Sequence, residues 1–387
     1  MNPETWIQKQ LDQASLDGLE RSIPVVSRAG GVGPDTGMRV LDFSSNDYLN
    51  LVHHPRLRDA ARDALEKYGA GAGSSRLLCG TLPVHEELEA AIALLKGYPA
   101  ALSFGSGFLA NIGVITAMAN RNDHVFTDRL AHASIIDATV QSRAKGHRFR
   151  HNNPDHLDSL LRKVKPPGRK LVVTESVFSM DGDLAPLPEL AEVCSRHDAV
   201  LAVDEAHAIG IFGPIGGGRI SEATLSRQVQ LCVGTLSKAL GSYGGFVACS
   251  NLMRRWLVNR ARPVIYSTAL PPSVAASALA AIQLLSAEPH RGKVVLKNSD
   301  ALRRRLQEGG LNTLDSRSQI IPVLVGDNDR TLRISLQLRE KGIIAAPIRP
   351  PTVPSGTARL RLSITYAYTE EELQEAAETI IRVVHES

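Results

Sequence analysis

The chain has 387 residues, 43% hydrophobic and 22% charged, an ordinary balance for a globular protein long enough for two or three structural units. Its 44 basic and 40 acidic side chains are dispersed and leave a net charge of +4, and aromatics are only 4%. This excludes the basic stripe and stacking platform of a nucleic-acid binder, while a mild positive field suits phosphate-bearing small molecules. Cys79, Cys194, Cys232 and Cys249 form no CxxC pair. No metal site or disulfide framework is therefore expected, and reduced thiols fit. No run approaches the ~20 apolar residues of a membrane span, and the start MNPETWIQKQLDQ has no apolar signal core, so a soluble cytoplasmic protein without membrane contact is expected.

In chain order, residues 1–54 predict a short helix, a Pro-Gly loop from Arg28 to Gly37 and a strand through Val40–Phe43. Apolar spacing then predicts helices over Pro55–Tyr68 (Leu57, Ala61, Ala64, Leu65) and Pro83–Lys96 (Leu88, Ile92, Leu95). A strand at Ala100–Phe104 leads into a helix from Phe108 to Met118. Short apolar runs follow at Val125–Thr127, Leu171–Thr174, Val200–Val203, Leu231–Gly234 and Phe246–Cys249. Helical patterns at Ala133–Arg143, Asp155–Val164 and Pro188–His197 separate the earlier ones. Strands divided by helices predict an α/β fold with a mainly parallel central sheet covered on both faces, and ligands at the carboxyl ends of its strands. Pro271–Ala287 reads as a helix leaving this large domain, 55–288. Residues 289–387 predict a smaller α+β domain, with strands Ile320–Val325 and Leu360–Thr365 and helices Arg330–Lys341 and Glu370–His385.

The sharpest chemistry lies in Thr235-Leu236-Ser237-Lys238-Ala239-Leu240-Gly241, directly after an apolar run. A lysine there can be desolvated, which lowers its pKa and frees the neutral amine that a Schiff base with pyridoxal 5′-phosphate (PLP) requires. Val203-Asp204-Glu205-Ala206-His207 sets a carboxylate at a strand tip. Such a group suits the pyridine nitrogen, whose protonation makes the ring an electron sink. Ser103-Phe104-Gly105-Ser106-Gly107-Phe108 is a strand, a glycine turn and a helix N-terminus, where free amides attract an anion. His132, between a strand and a helix, can stack on the ring. Each segment alone also reads as ordinary architecture: a surface lysine, an aspartate cap, a plain strand–helix turn, a packing histidine. Their order along one chain favours the cofactor.

Together with Ser44-Ser45-Asn46-Asp47-Tyr48-Leu49, Gly73-Ser74-Ser75-Arg76-Leu77-Leu78-Cys79-Gly80-Thr81 and Ser176-Val177-Phe178-Ser179-Met180-Asp181-Gly182-Asp183, these residues resemble the α-oxoamine synthases. That family consists of fold-type I PLP-dependent transferases that condense an amino acid with an acyl thioester and release carbon dioxide. The resemblance implies that Lys238 carries the cofactor, Asp204 pairs with the pyridinium and His132 stacks on the ring. Ser179, His207 and Thr235 are then cofactor contacts, with the backbone of Gly107 and Phe108. Thr268 is implied to reach the phosphate of a partner subunit in a homodimer, although Ser267-Thr268 equally reads as a cap for the helix that follows. Arg21, Asn46, Thr352 and Arg361 map to substrate contacts. The run Arg349-Pro350-Pro351-Thr352, with Thr357-Ala358-Arg359, is similar to the branch that joins L-alanine to a pimeloyl thioester, on CoA or acyl carrier protein, early in making biotin. Sibling enzymes using glycine or serine, and a non-catalytic PLP-binding partner subunit, are the alternatives. Asn50, Ala208-Ile209 and Tyr366-Ala367-Tyr368 depart from the family's Gly, Gly-Thr and Ala-Ala-His, the last two at expected substrate surfaces.

Overall fold

The computed structural model describes residues 2–21, 23 and 40–387, so the Pro-Gly loop expected over Arg28–Gly37 lies outside the described residues. Helices begin and end where local chemistry dictates. Pro55–Tyr68 opens on a proline, whose missing N–H would have no helical partner, with His54 Nδ1 accepting from Arg56 N at 3.3 Å. Pro83–Lys96 opens likewise and closes on Gly97, at φ 70°. Both coincide with the expected ranges. Gly107–Met118, Ala133–Ser142, Pro154–Leu161, Leu187–Arg196, Pro272–Ala287, Asn328–Glu340 and Glu370–Glu386 lie close to the remaining expected helices.

Seven strands form the central sheet. Their spatial order is Ala100–Phe104, Gly245–Cys249, Leu231–Thr235, Val200–Asp204, Lys170–Glu175, His124–Asp128 and Lys145–Phe149. Only Gly245–Cys249 runs against its neighbours; the other four pairings are parallel. Alternate side chains enter two buried layers. Val172, Leu201, Val203 and Phe246 join one apolar cluster, and Leu171, Val173, Ala202 and Val247 the other. A sheet covered on both faces therefore reads as continuous apolar runs. A third cluster gathers Leu302, Ile321, Val323, Leu360, Leu362 and Ile380 around an antiparallel sheet of Ala346–Ile348, Ala358–Ser363 and Ile320–Gly326. Phe43 belongs to it, because Leu41–Asp42 pairs with Ile343–Ile344. The N-terminal segment is thus stitched to the C-terminal part.

Three of the longer elements carry no readable pattern. The edge strand Lys145–Phe149 buries only Phe149, and its charges guard an open edge. Asn251–Arg260 buries only Leu257. His290–Glu308 is a 19-residue helix whose buried apolar residues are just Val295, Leu302 and Leu306 amid basic side chains. The departures from the family also have a structural setting. Asn50 sits at φ 54°, a conformation that asparagine tolerates best after glycine. Ala208 and Ile209 are fully buried in the core, and Tyr366 packs under the Arg291 guanidinium, 4.4 Å from its ring centroid. Ala208 and Ile209 are therefore packing substitutions, not the substrate-facing ones expected.

The residue after the Asp204 strand tip anchors the sheet edge. Glu205 forms an ion pair with Lys96, both side chains fully buried, and accepts from Ile220 N at 2.9 Å. Lys96 also donates to the Gly217 carbonyl. Removing one buried charge strands the other. Lys96→Met is expected to destabilise the fold by about 3–5 kcal/mol, and Lys96→Met with Glu205→Leu to recover most of it, read from urea unfolding midpoints.

Candidate active site

Four neighbouring parallel strands end on one sheet edge in Thr235, Asp204, Glu175 and Asp128, all buried. Lys238 follows Thr235 by three residues, and its Nζ lies 2.8 Å from His207 Nε2. Burial pulls the Lys238 ammonium down to about 8, against the pull of Asp204 and Glu175, which favour its charge. A nucleophilic amine is then within reach of neutral pH. The buried His207 imidazole is held well below its usual range, by desolvation first and by Lys238 and Arg361 next. It is neutral.

Asp204 is held at both oxygens. Oδ1 accepts from Ala206 N at 2.8 Å, and Oδ2 from Asn111 Nδ2 at 2.7 Å. Asn111 also donates to Ser134 Oγ at 3.0 Å, and that hydroxyl lies 2.7 Å from His132 Nδ1. Ser134 N donates to the same Nδ1 at 3.2 Å. An N–H cannot accept, so Nδ1 is the acceptor and the proton of the neutral ring sits on Nε2. Desolvation keeps His132 below the usual imidazole range, so this neutral form prevails near pH 7. His132 N donates to Glu175 Oε1 at 2.7 Å, and burial beside Asp204 lifts Glu175 to about 8.

The helix end beside these strand tips fits a phosphate. Ser106 caps the helix Gly107–Met118, accepting from Leu109 N at 3.1 Å, and the first amides of the helix have no partner within it. A Cβ on Gly107 would stand 3.3 Å from Thr235 Cβ, so glycine keeps open the notch between helix end and strand tip. Thr235 Oγ1 lies 2.7 Å from Ser237 Oγ at its rim. Amides, hydroxyls and the positive helix end all favour an anion there. The Phe108 ring stands edge-on to His132, with centroids 6.5 Å apart.

The C-terminal part contributes Arg361. Its Nε donates to the Ser179 carbonyl at 2.6 Å, and its Nη2 to Asn46 Oδ1 at 3.2 Å and to Tyr48 Oη at 3.3 Å. The Ser179 loop is pinned from both sides. Arg359 pairs with Asp181, and His151 bridges Asp128 and Asp183 at 2.9 and 2.8 Å. Those two carboxylates raise the His151 imidazolium to about 9 against the cost of its burial. Gly182 turns at φ 67° with the Ile320 carbonyl where a Cβ would stand. Arg21 and Thr352, far apart in sequence, meet at 3.5 Å between Nη2 and Oγ1. Thr268 stands apart, exposed, its backbone bridged to Ser75. It does not cap the next helix, whose N-cap is Pro271 with no side-chain hydrogen bond.

A desolvated lysine, an aspartate hydrogen-bonded at both oxygens, a neutral histidine and an anion-binding notch at the strand tips suit a PLP-dependent transferase of fold type I. Residues 38–380 match the family model for aminotransferase class I and II. 8-Amino-7-oxononanoate synthase from Trichlorobacter lovleyi is 42% identical over 99% of both chains, and that from Geobacter sulfurreducens 44% identical over 97% of both. Among solved structures, a serine palmitoyltransferase from S. paucimobilis with bound PLP–myriocin is 32% identical, covering 98% of this chain and 97% of its own, at a TM-score of 0.92. The 8-amino-7-oxononanoate synthase from Francisella tularensis is 29% identical over 90% and 98%, at 0.79. The chain belongs to the aminotransferase class I and II family and, within it, to the α-oxoamine synthases, with PLP as cofactor.

Sequence reasoning assigned no role to Asn111, Ser134, Glu175 or Tyr48. Asn111 was within reach, since it lies one helical turn beyond Gly107 and so on the same face. Glu175 could have been found as a second acidic strand tip, in register with Asp204. Among the described residues no cluster has the makings of a metal site. The lowered lysine pKa has a direct consequence. Protein stripped of cofactor should recapture added PLP faster as pH rises through about 8, then level off as Lys238 becomes neutral amine, followed by the absorbance of the bound cofactor. Lys238→Ala should show no covalent capture at any pH.

Proposed function

We propose that the protein catalyses the decarboxylative condensation of L-alanine with a pimeloyl thioester, on CoA or acyl carrier protein, giving 8-amino-7-oxononanoate, carbon dioxide and the free thiol in biotin synthesis. One observation carries this reading. Curated relatives bearing that activity in their names are 42–46% identical over at least 94% of the chain, above the 31–34% of the serine palmitoyltransferase neighbours, which in turn exceed the 29% of the Francisella tularensis synthase. The TM-score of 0.92 to serine palmitoyltransferase favours the sibling reading, but it reports backbone, and substrate choice lies in side chains.

Each residue has a defined task. Bound PLP supplies the sink for the electron pair released at the amino-acid Cα. Asp204 holds the proton on the pyridine nitrogen, kept in place by Asn111 and Ala206. Arg361 grips the substrate carboxylate with two N–H groups, exchanging its present contacts to Asn46 and Tyr48. That grip would orient the amino acid and so select which of its Cα bonds breaks. Lys238 takes the Cα proton as base. His132 turns its Nε2–H to the thioester oxygen as the new C–C bond forms and the C–S bond breaks. The thiol leaves, carbon dioxide follows, and Lys238 returns a proton to Cα. Arg21 and Thr352 line the acyl approach.

The enzyme loaded with PLP should form 8-amino-7-oxononanoate from L-alanine and pimeloyl-CoA, identified by mass spectrometry. Ketone formed preferentially from glycine or L-serine would instead place it among the sibling enzymes.

The same reading includes a homodimer in which Thr268 meets the partner's cofactor phosphate. Leu77, Leu78 and Tyr266, at 50%, 80% and 70% exposure, flank the residues of the Ser75–Thr268 bridge in sequence and would be covered by a partner subunit there. Thr268→Ala should weaken PLP retention and leave the melting temperature of the cofactor-free protein unchanged. Sedimentation that found an active monomer at assay concentration would defeat the shared site.

A further inference from the structure

Thr268 is exposed, yet the backbone around it is fastened residue by residue. Ala269 N donates to the Ser74 carbonyl at 3.0 Å, Ser75 and Thr268 form an antiparallel bridge, and the Leu270 carbonyl accepts from His85 Nε2 at 2.8 Å. Leu82 N donates to His85 Nδ1 at 3.0 Å, so the proton of this buried neutral ring sits on Nε2, as the Leu270 contact requires.

The turn that receives Thr268, residues 74–81, is itself tightly built. Gly80 N donates to the Ser75 carbonyl at 3.0 Å, and a Cβ on Gly80 would overlap the Ser74 carbonyl, so only glycine closes it. Arg76 then fastens the turn to the large domain. Its Nε donates to Thr81 Oγ1 at 3.0 Å, and its Nη1 to Glu89 Oε1 at 2.6 Å and to Ser103 Oγ at 2.9 Å. Thr81 donates back to the Arg76 carbonyl at 2.6 Å. Glu89, 4% exposed, also accepts from Ser103 N at 2.9 Å and from Arg254 Nη2 at 2.8 Å. Burial opposes the charge on Glu89 and Arg76 overcomes that cost, so the carboxylate stays ionised. A buried ion pair adds little stability over apolar packing of the same volume, but the rigid fork of an arginine fixes a direction.

We infer that Arg76 is a positioning residue that acts across the subunit interface: by locking the turn onto Glu89 it aims Thr268 at the cofactor phosphate of the partner subunit. The Arg76 side chain is turned inward, 9% exposed, so it reaches the partner only through the backbone it holds. The inference rests on the shared homodimer site proposed above and names what keeps the shared hydroxyl in place. A methionine at this position fills the space of the stem but makes none of the three bonds, leaving Glu89 to Arg254 and Ser103 and the turn free to shift.

Mixed dimers of two differently tagged full-length chains test this without any substrate. The readout is how long PLP stays reducible by borohydride onto the one remaining Lys238. In the first dimer one chain is wild type and the other carries both Arg76→Met and Lys238→Ala, so the surviving site faces the altered turn. PLP should be lost about tenfold faster than from the reference dimer of wild type with Lys238→Ala, as expected when one hydrogen bond to a charged group is removed. In the second dimer Arg76→Met and Lys238→Ala sit on opposite chains, so the surviving site faces an intact turn and should keep PLP as the reference does. A merely structural role would affect both dimers alike, or the second more, and either result overturns the inference. Arg76→Lys keeps the charge beside Glu89 but cannot span to Thr81 as well, so it should give the same ordering with a smaller loss; it serves if Arg76→Met does not fold. Thr268→Ala in the same two arrangements separates the inference from the reading beneath it. Loss across the interface for Thr268→Ala but not for Arg76→Met would sink the inference alone. Loss confined to the altered chain for both, or an active monomer, would sink the shared site and the inference with it.

Discussion

Burying charge at one sheet edge is the constraint around which this protein is arranged. Asp128, Glu175, Asp204 and Glu205 all lie at the ends of three adjacent parallel strands, where helices cover both faces and water is largely excluded. An isolated carboxylate there would cost several kcal/mol, so each must be paired, hydrogen-bonded or protonated. Each finds a different solution. Glu205 takes the buried Lys96, Asp128 takes His151, Asp204 takes two N–H donors, and Glu175 moves toward its protonated form. Lys238 enters the same low-dielectric edge, and its lowered pKa records burial outweighing the neighbouring acids.

The second arrangement is the joint between the parallel sheet and the C-terminal part. The strand Ala358–Ser363 sends Arg359 and Arg361 to the same short loop, one to Asp181 and one to the Ser179 carbonyl, while Leu360 and Leu362 fill the apolar cluster behind. Period-two alternation puts both arginines on one face by geometry alone. The loop they meet is fastened to the sheet by His151 and turned by Gly182 under Ile320. An arginine whose reach is set this way arrives at the cleft already oriented. Preorganisation of this kind keeps the entropy of ordering out of the binding step.

Several of these arrangements were visible in the residues. The helices Pro55–Tyr68 and Pro83–Lys96 announce themselves by proline at the start, glycine after the end and apolar residues at helical spacing. The five interior strands do so as apolar runs, because both their faces are covered. The strand Lys145–Phe149 and the helix His290–Glu308 did not, since an edge strand and a surface helix bury too few residues to imprint a period. Ala208-Ile209 misled for the opposite reason: small apolar residues after a strand tip look the same whether they face a ligand or, as here, the core.

What the sequence by itself determined is the list of reactive groups and their order: a lysine after a buried strand, an aspartate at a tip, a histidine before a helix, a helix N-terminus opened by glycine. Local chemistry writes these, because caps, strand runs and turns need only neighbours within a few residues. What only the tertiary structure decided is which atoms meet. Asn111 and Asp204 are 93 residues apart, Tyr48 and His207 159, Asn46 and Arg361 315. Nothing local encodes such pairs. Proton positions, lysine desolvation and the aim of Arg361 depend on distances of 2.7–3.3 Å and on the exclusion of water, and both arise only when segments remote in sequence pack together.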